Sequence, residues 1–212
     1  MDLSDWRQEY LKDGLRRDQL QPDAMEQFAD WFRQASQTEV PEPNAMTLAT
    51  VGSDAAPSIR AVLLKAFDRK GFVFYTNYDS LKSLQIGQNP QVALHFLWVT
   101  LHRQVAISGN AERISSAESL AYFLKRPRGS QLGAWVSRQS QVISSRQLLD
   151  AKLHELKLKF AEGKVPWPSF WGGYRVRPLA IEFWQGRPDR LHDRFKYMRQ
   201  EDESWHIDRL SP

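Results

Sequence analysis

The segment "FWQGRPDRLHDRF", Phe183 to Phe195, sets three arginines, two aspartates and a histidine between aromatic residues. On an extended strand Arg190, His192 and Arg194 fall on one side, a cationic and hydrogen-bonding row beside an aromatic wall. A planar anionic ligand accounts for such a row. So does a solvated barrel rim, and the segment alone does not choose between them.

Three further stretches could hold anions. In "SIRAVLLK", strand alternation puts Arg60, Val62 and Leu64 on one face and Ala61, Leu63 and Lys65 on the other. Two cations then leave one apolar strand on opposite faces, either toward ligands or as flanking charges whose stems snorkel. "FYTNYDSLKS" gathers Tyr75, Thr76, Ser80 and Lys82 at a strand-to-helix turn. Hydroxyls, free amides and a lysine there can cradle a phosphate, although an ordinary capped helix has the same residues. "YFLKRPRGSQLGAW" offers Tyr122, Lys125, Arg126, Arg128 and Ser130. Tyr122 and Arg126, four apart, share a helix face; Pro127 ends that helix and Gly129-Ser130 turns. The group can converge on a phosphate or merely complement a helix dipole. Two phosphate sites and many aromatic residues together point to two flat phosphorylated molecules.

The elements that must carry these residues follow from periodicity. Met25, Phe28, Trp31, Phe32 and Ala35 recur at helical spacing after Pro22-Asp23. Short runs rich in β-formers follow: "AMTLATV", "SIRAVLLKAF", "FVFYTN", "QVALHFLW" and "RQVAISGNAERI". A short helix in "SLKSLQIGQN" closes at Gly87 or Asn89. Ser115 with Glu118 forms a capping box. Ser144 with Gln147 opens a longer helix whose face is Leu149, Leu153, Leu156 and Phe160. "YRVRPLAIEFWQG", "RFKYMRQ" and "SWHIDRL" return to strands. Hairpins with inserted helices oppose a doubly wound parallel sheet. They predict a mainly β, α+β fold, a small antiparallel barrel with peripheral helices, whose mouth can hold a ligand.

The chain has 212 residues and a net charge of +4, which favours anionic partners. It contains no cysteine, so it has no disulfide framework, thiolate metal site or thiol nucleophile. Metal spacing of the HExxH kind, a Walker lysine loop, a dinucleotide glycine fingerprint and a G-x-S-x-G elbow are all missing. No metal site is expected. With no signal pattern and no apolar run long enough for a membrane span, a cytoplasmic protein without membrane partners is expected. The cations are scattered, without a basic run or recognition helix, so nucleic acid is not an expected partner.

Taken in order, "WRQEY", "GLRRDQL", "AMTLATV", "IRAVLLK", "VFYTN", "RQVAISGNAER", "YFLKRPRGSQLGAWVSRQS", "PSFWGGYRV", "IEFWQGRPDRLHDR" and "WHIDRLSP" resemble one family, the FMN-dependent pyridoxamine 5′-phosphate oxidases. The resemblance runs through nearly the whole chain. It implies a single FMN-binding split β-barrel domain over residues 1–212, with residues 1–23 a mobile arm and residues 170–212 the dimerisation and active-site strands. The implied protein is a homodimer with FMN between subunits. It oxidises pyridoxamine or pyridoxine 5′-phosphate to pyridoxal 5′-phosphate by hydride transfer from C4′ to flavin N5. Dioxygen is reduced to hydrogen peroxide, and the amine substrate releases ammonia. A non-catalytic carrier of FMN or pyridoxal 5′-phosphate is the alternative.

The resemblance also assigns residues. Arg60 and Lys82 would hold the FMN phosphate beside Tyr75 and Thr76, with the backbone of Arg60, Ala61, Val62 and Leu63 along the flavin. Gln104, Trp184 and Arg194 would meet the ring system, and Gln139 and Ser140 would arrive from the second subunit. Lys65, Tyr122, Arg126 and Ser130 would grip the substrate phosphate. Arg190, Leu191 and His192 would meet the pyridine ring, while Arg7 and Tyr10 would close over it. Arg190, His192 and Arg194 are the implied catalytic set, with Arg194 contributing charge that stabilises reduced flavin. Two departures stand out: Leu81 replaces a second cation beside Lys82, and Glu42 replaces an aspartate. Arg16, Arg17 and Arg209 are either a surface anion site or solvated arginines.

Overall fold

The computed structural model describes residues 1–3, 10, 14–137 and 139–212. Arg7, assigned above to the substrate, lies outside them. The first helix, α1 (Ala24–Gln37), starts where Asp23 accepts from the Met25 and Glu26 amides. Next come β1 (Ala45–Val51), β2 (Pro57–Leu63), β3 (Ala66–Asp68), β4 (Gly71–Asn77), α2 (Leu81–Gln88), β5 (Gln91–Trp98) and β6 (Arg103–Arg113). Three helices follow, α3 (Ser116–Lys125), α4 (Arg128–Val136) and α5 (Arg146–Lys159), and then β7 (Trp171–Gln185), β8 (Asp193–Arg199) and β9 (Trp205–Leu210).

All pairings are antiparallel, in the order β2-β1-β5-β6-β7-β4-β3, with β8 on β7 and β9 on β8. The end strands β2 and β3 are joined through Leu64-Lys65, and the Lys65 amide donates to the Val73 carbonyl at 2.8 Å. The sheet therefore curls back on itself. β7 is long enough to pair along one edge with β4 through residues 171–176 and with β8 through residues 180–185. The barrel opens at that fork. A register shift at Ser108/Gly109 bends β6 there, where a Cβ on Gly109 would lie 2.2 Å from the Arg177 carbonyl oxygen.

The predicted face of α1 fills the barrel interior. Phe28 meets Phe72 edge-on at 4.8 Å between centroids, and Trp31 meets Phe183 at 5.2 Å. A smaller core of Phe123, Leu132, Leu156, Val165 and Trp171 lies under α3, α4 and α5. Leu156 is buried and Leu149, Leu153 and Phe160 are half-buried, so the expected α5 face is correct. Its expected start is not: Ser145 is the N-cap, without a side-chain cap bond, and Ser144 is exposed. The Ser115–Glu118 capping box forms as expected, and α2 ends at Asn89.

Two boundaries correct the sequence reading in ways that matter for chemistry. Arg126 leaves α3 in extended conformation, and Pro127 caps α4, so Gly129 and Ser130 are helical and form no turn. Residues 188–190 form a 3₁₀ turn with Asp189 and Arg190 left-handed, at φ 54° and 60°. Arg190 and His192 are thus not on a strand with Arg194, and the single-sided row breaks at Asp193. No helix among the described residues is long and apolar enough to cross a membrane.

Candidate functional site

Strands β2 and β4 and helices α2, α3 and α4 enclose a cleft of about 770 Å³, a size suited to a small ligand. Both predicted anion sites line it. From the first come Arg60, Ala61, Val62, Leu63, Tyr75, Thr76 and Lys82, and from the second Lys65, Tyr122, Arg126 and Ser130. Lys65 lies just beyond the end of β2 at Leu63, and it lines the same cleft as Arg60.

Arg60 and Lys82 have neutral partners. Arg60 donates to the Leu48 carbonyl at 3.2 Å and to Thr50 Oγ1 at 2.5 Å. Thr50 in turn donates to Gln85 Oε1 at 2.6 Å. Lys82 is 7% exposed, and its Nζ donates to Thr76 Oγ1, Ser80 Oγ and Gln139 Oε1 at 3.2, 3.3 and 3.0 Å. Burial, and then the Arg60 charge, push Lys82 down to about 8. Burial also lowers Arg60 and Arg126. The Arg126 guanidinium lies 4.5 Å from the Trp171 ring centroid, and its Nη1 is buried without a hydrogen-bond partner. Among the described residues no carboxylate pairs with Arg60, Lys65, Lys82 or Arg126. Lys65 is exposed, but Arg60, Lys82 and Arg126 are desolvated without counter-charge, which is costly, and an incoming anion would relieve that cost.

The wall beside them is aromatic. Tyr75 stacks on Tyr122 at 3.9 Å and 18°, and on Trp171 at 5.4 Å and 10°. Burial and the neighbouring Tyr122 push Tyr75 up to about 12. This hydroxyl therefore stays protonated and can donate.

Gln139 and Ser140 reach the cleft from this same chain, since Gln139 meets Lys82 and Ser140 Oγ accepts from the Leu81 amide at 3.2 Å. The resemblance implied their arrival from a second subunit; in this chain they line its own cleft. Ser80 is fully buried and donates to the Asn77 carbonyl, so it shapes the turn and meets the cleft only indirectly, by accepting from Lys82 Nζ. Arg128 turns away to the Phe160 and Gly163 carbonyls. Arg16 pairs with Asp18, Arg17 donates to the Ile207 carbonyl and Arg209 pairs with Asp193, so each already has an internal partner. Glu42 sits exposed in a left-handed turn at φ 44°.

The remaining predicted residues form a second cluster at the far end of β7. Gln104, Trp184 and Arg194 are cross-strand neighbours on β6, β7 and β8, and so share one sheet face. Arg194 Nε is 2.7 Å from Glu182 Oε1, so its charge is already paired. Trp184 and Tyr10 flank His192, at 4.5 Å and 5.7 Å between centroids, and Tyr10 in turn lies 4.5 Å from the His102 ring. Burial and Arg190 lower the His192 pKa. Leu191 and Arg190 are exposed. Trp171 opens β7 and Trp184 lies near its end, on the order of 40 Å apart along the strand.

Trp171, Gln85, Thr50 and Glu182 complete these clusters and were not singled out by spacing. Only Trp171 carried a local signal, the "FWGGY" run. There, a Cβ on Gly172 would lie 2.2 Å from Tyr78 Oη, so glycine is what lets the strand pass.

Fold and cleft together define the class, an antiparallel split barrel with a cationic, aromatic-walled cleft. The solved PhzG of Burkholderia lata 383, in complex with tetrahydrophenazine-1-carboxylic acid, superposes with a TM-score of 0.88. It is 29% identical, over 94% of this chain and 98% of that one. An FMN-binding, pyridoxamine 5′-phosphate oxidase-related protein of Nostoc punctiforme shares the fold at TM-score 0.71 and 16% identity, over 92% and 99% of the two chains. Residues 32–160 match the family model described as pyridoxamine 5′-phosphate oxidase, and residues 171–212 match a pyridoxine 5′-phosphate oxidase C-terminal dimerisation region. The curated pyridoxine/pyridoxamine 5′-phosphate oxidases of Rippkaea orientalis and Aliarcobacter butzleri are 60% and 57% identical, each over 100% of both chains. The chain belongs to the pyridoxamine 5′-phosphate oxidase family, a family of oxidoreductases.

Proposed function

We propose that this protein is an FMN-dependent homodimeric oxidase that converts pyridoxamine and pyridoxine 5′-phosphates to pyridoxal 5′-phosphate with dioxygen. The observation that carries this reading is the gathering of Arg60, Lys65, Lys82 and Arg126 in one cleft without carboxylate partners. Four cations exceed the needs of one phosphate and suit two. Arg60 and Lys82, with Thr76 and Gln139, hold the FMN phosphate. Lys65 and Arg126, with Tyr122 and Ser130, hold that of the substrate.

FMN, when bound, supplies the two-electron acceptor for the substrate C4′ hydride and passes the electrons to dioxygen, giving hydrogen peroxide. The protein's part is to orient and to neutralise charge. The phosphate grips anchor one end of each molecule against the aromatic wall. The Gln104, Trp184, Arg190, His192 and Arg194 cluster lies too far along β7 to complete the same protomer's cleft. A second copy supplies it, and the homodimer follows from that need. Arg190 and His192 meet the pyridine ring, and Arg194 faces the flavin with its charge tempered by Glu182.

Incubation with FMN and pyridoxamine 5′-phosphate in air, followed by pyridoxal 5′-phosphate absorbance, tests the reading. Product that depends on both FMN and oxygen supports it. Bound flavin without product would favour a carrier instead.

A further inference from the structure

We propose that Asp193 is a positioning residue that locks the Arg187–His192 loop, so that His192 presents its Nε2 hydrogen toward the ligand. The identity of that ligand rests on the function proposed above; the geometry of the lock does not. The Asp193 side chain is 15% exposed and gathers donors from three segments. Its Oδ2 accepts from the Leu15 amide at 3.0 Å and lies 3.7 Å from Arg187 Nε. Its Oδ1 accepts from Arg209 Nη1 at 2.8 Å. Arg209 also reaches the Leu15 carbonyl at 3.4 Å, so the Asp193–Arg209 pair brackets both backbone groups of buried Leu15. Gly14 completes the fit, because a Cβ there would sit 2.6 Å from Asp193 Oδ2 and 3.1 Å from the Arg187 guanidinium.

Arg187 and Asp193 are the two ends of the loop that carries Arg190, Leu191 and His192, and their ion pair closes it. Within the loop the Arg187 amide donates to His192 Nδ1 at 3.1 Å. A nitrogen that accepts carries no hydrogen, so the neutral imidazole bears its proton on Nε2. The loop is also strained, with consecutive left-handed residues Asp189 and Arg190. Such conformations persist only where the surroundings over-determine them. Asp193 supplies that constraint from the loop's end, through its contacts with Leu15, Arg187 and Arg209.

The test reads the His192 ring nitrogens by ¹⁵N NMR in the full-length, FMN-loaded protein, with His192→Gln for assignment. The wild type should show Nδ1 unprotonated and Nε2 protonated. Asp193→Asn keeps an oxygen for the Leu15 amide but cannot hold two guanidiniums. It should shift both nitrogens toward tautomer averaging and lower kcat/KM for pyridoxamine 5′-phosphate by about tenfold, mainly through KM. Asp193→Ala should do more. Should that variant fail to fold, Gly14→Ala displaces the same carboxylate and should give the same signature. Unchanged nitrogens in Asp193→Asn and Gly14→Ala, or a wild type protonated on Nδ1, would overturn the proposal. If the wild type makes no pyridoxal 5′-phosphate, the function fails, and the nitrogen pattern still decides the role of Asp193.

Discussion

Lys82 is buried among neutral oxygens, and two pH effects follow from that. Its folded value of about 8 lies below its ordinary 10.5. A phosphate beside it favours the ammonium, so FMN affinity should be full below about pH 8 and weaken above it, approaching one decade per pH unit. Titrating the FMN dissociation constant from about pH 7 to 9 checks this. Ligand-free stability moves the other way. Between 8 and 10.5 the unfolded chain binds a proton that the native lysine has lost, so stability should rise with pH across that window, as denaturant melts would show. Leu81 bears on the same grip. It is 48% exposed and lines the cleft where a cation could reach the same anion. Leu81→Arg should tighten FMN by about 1 kcal/mol, roughly fivefold, a charge-assisted contact discounted for solvent. At the other cluster, Arg194→Leu should slow flavin reduction more than it weakens substrate binding. An unchanged reduction rate in stopped-flow would remove Arg194 from that role.

Elements were more legible than the site because their signals are local. Asp23 before the Met25–Ala35 face marked α1, and the structure shows both of its cap bonds. The Ser115–Glu118 box marked α3 in the same way. Where a second local choice existed, the spacing misled. Pro127 reads as a stop, yet it also starts α4, since a proline lacks only a donor that the first helical turn leaves unused. The Arg190–His192 alternation looked like a strand until two left-handed residues broke it, and no composition signal marks a non-glycine left-handed pair. Gly172 is the sharpest test at this scale. Gly172→Ala would drive a Cβ into Tyr78 Oη at 2.2 Å and displace Trp171 beside it. A loss of about 2 kcal/mol in denaturant melts is expected, together with weaker binding of the substrate phosphate.

At the scale of the molecule, the two clusters at opposite ends of β7 predict subunit complementation. Arg126→Ala removes a cleft residue and Arg190→Ala a far-end residue, so each homodimer has two defective sites. A mixed dimer has one site with both defects and one with neither. Co-refolding equal amounts should therefore recover about a quarter of wild-type activity, since half the dimers are mixed and each has one intact site of two. Recovery no greater than the sum of the separate variants would mean that both clusters serve one chain's ligand.

Periodicity, caps and turn residues determined the antiparallel barrel, its filling helix and the residue types able to hold phosphate, because those features depend on neighbours within a few positions. The motif run also carried the family resemblance. Tertiary structure alone decided that the two candidate anion-binding groups share one cleft, that Gln139 meets Lys82 within a chain, and that Arg194 is paired with Glu182. It also decided that Asp193 ties Leu15 to Arg209, 194 positions further along the chain. The curling of the sheet sets these pairings by bringing distant segments together, and no local pattern encodes which charge will meet which.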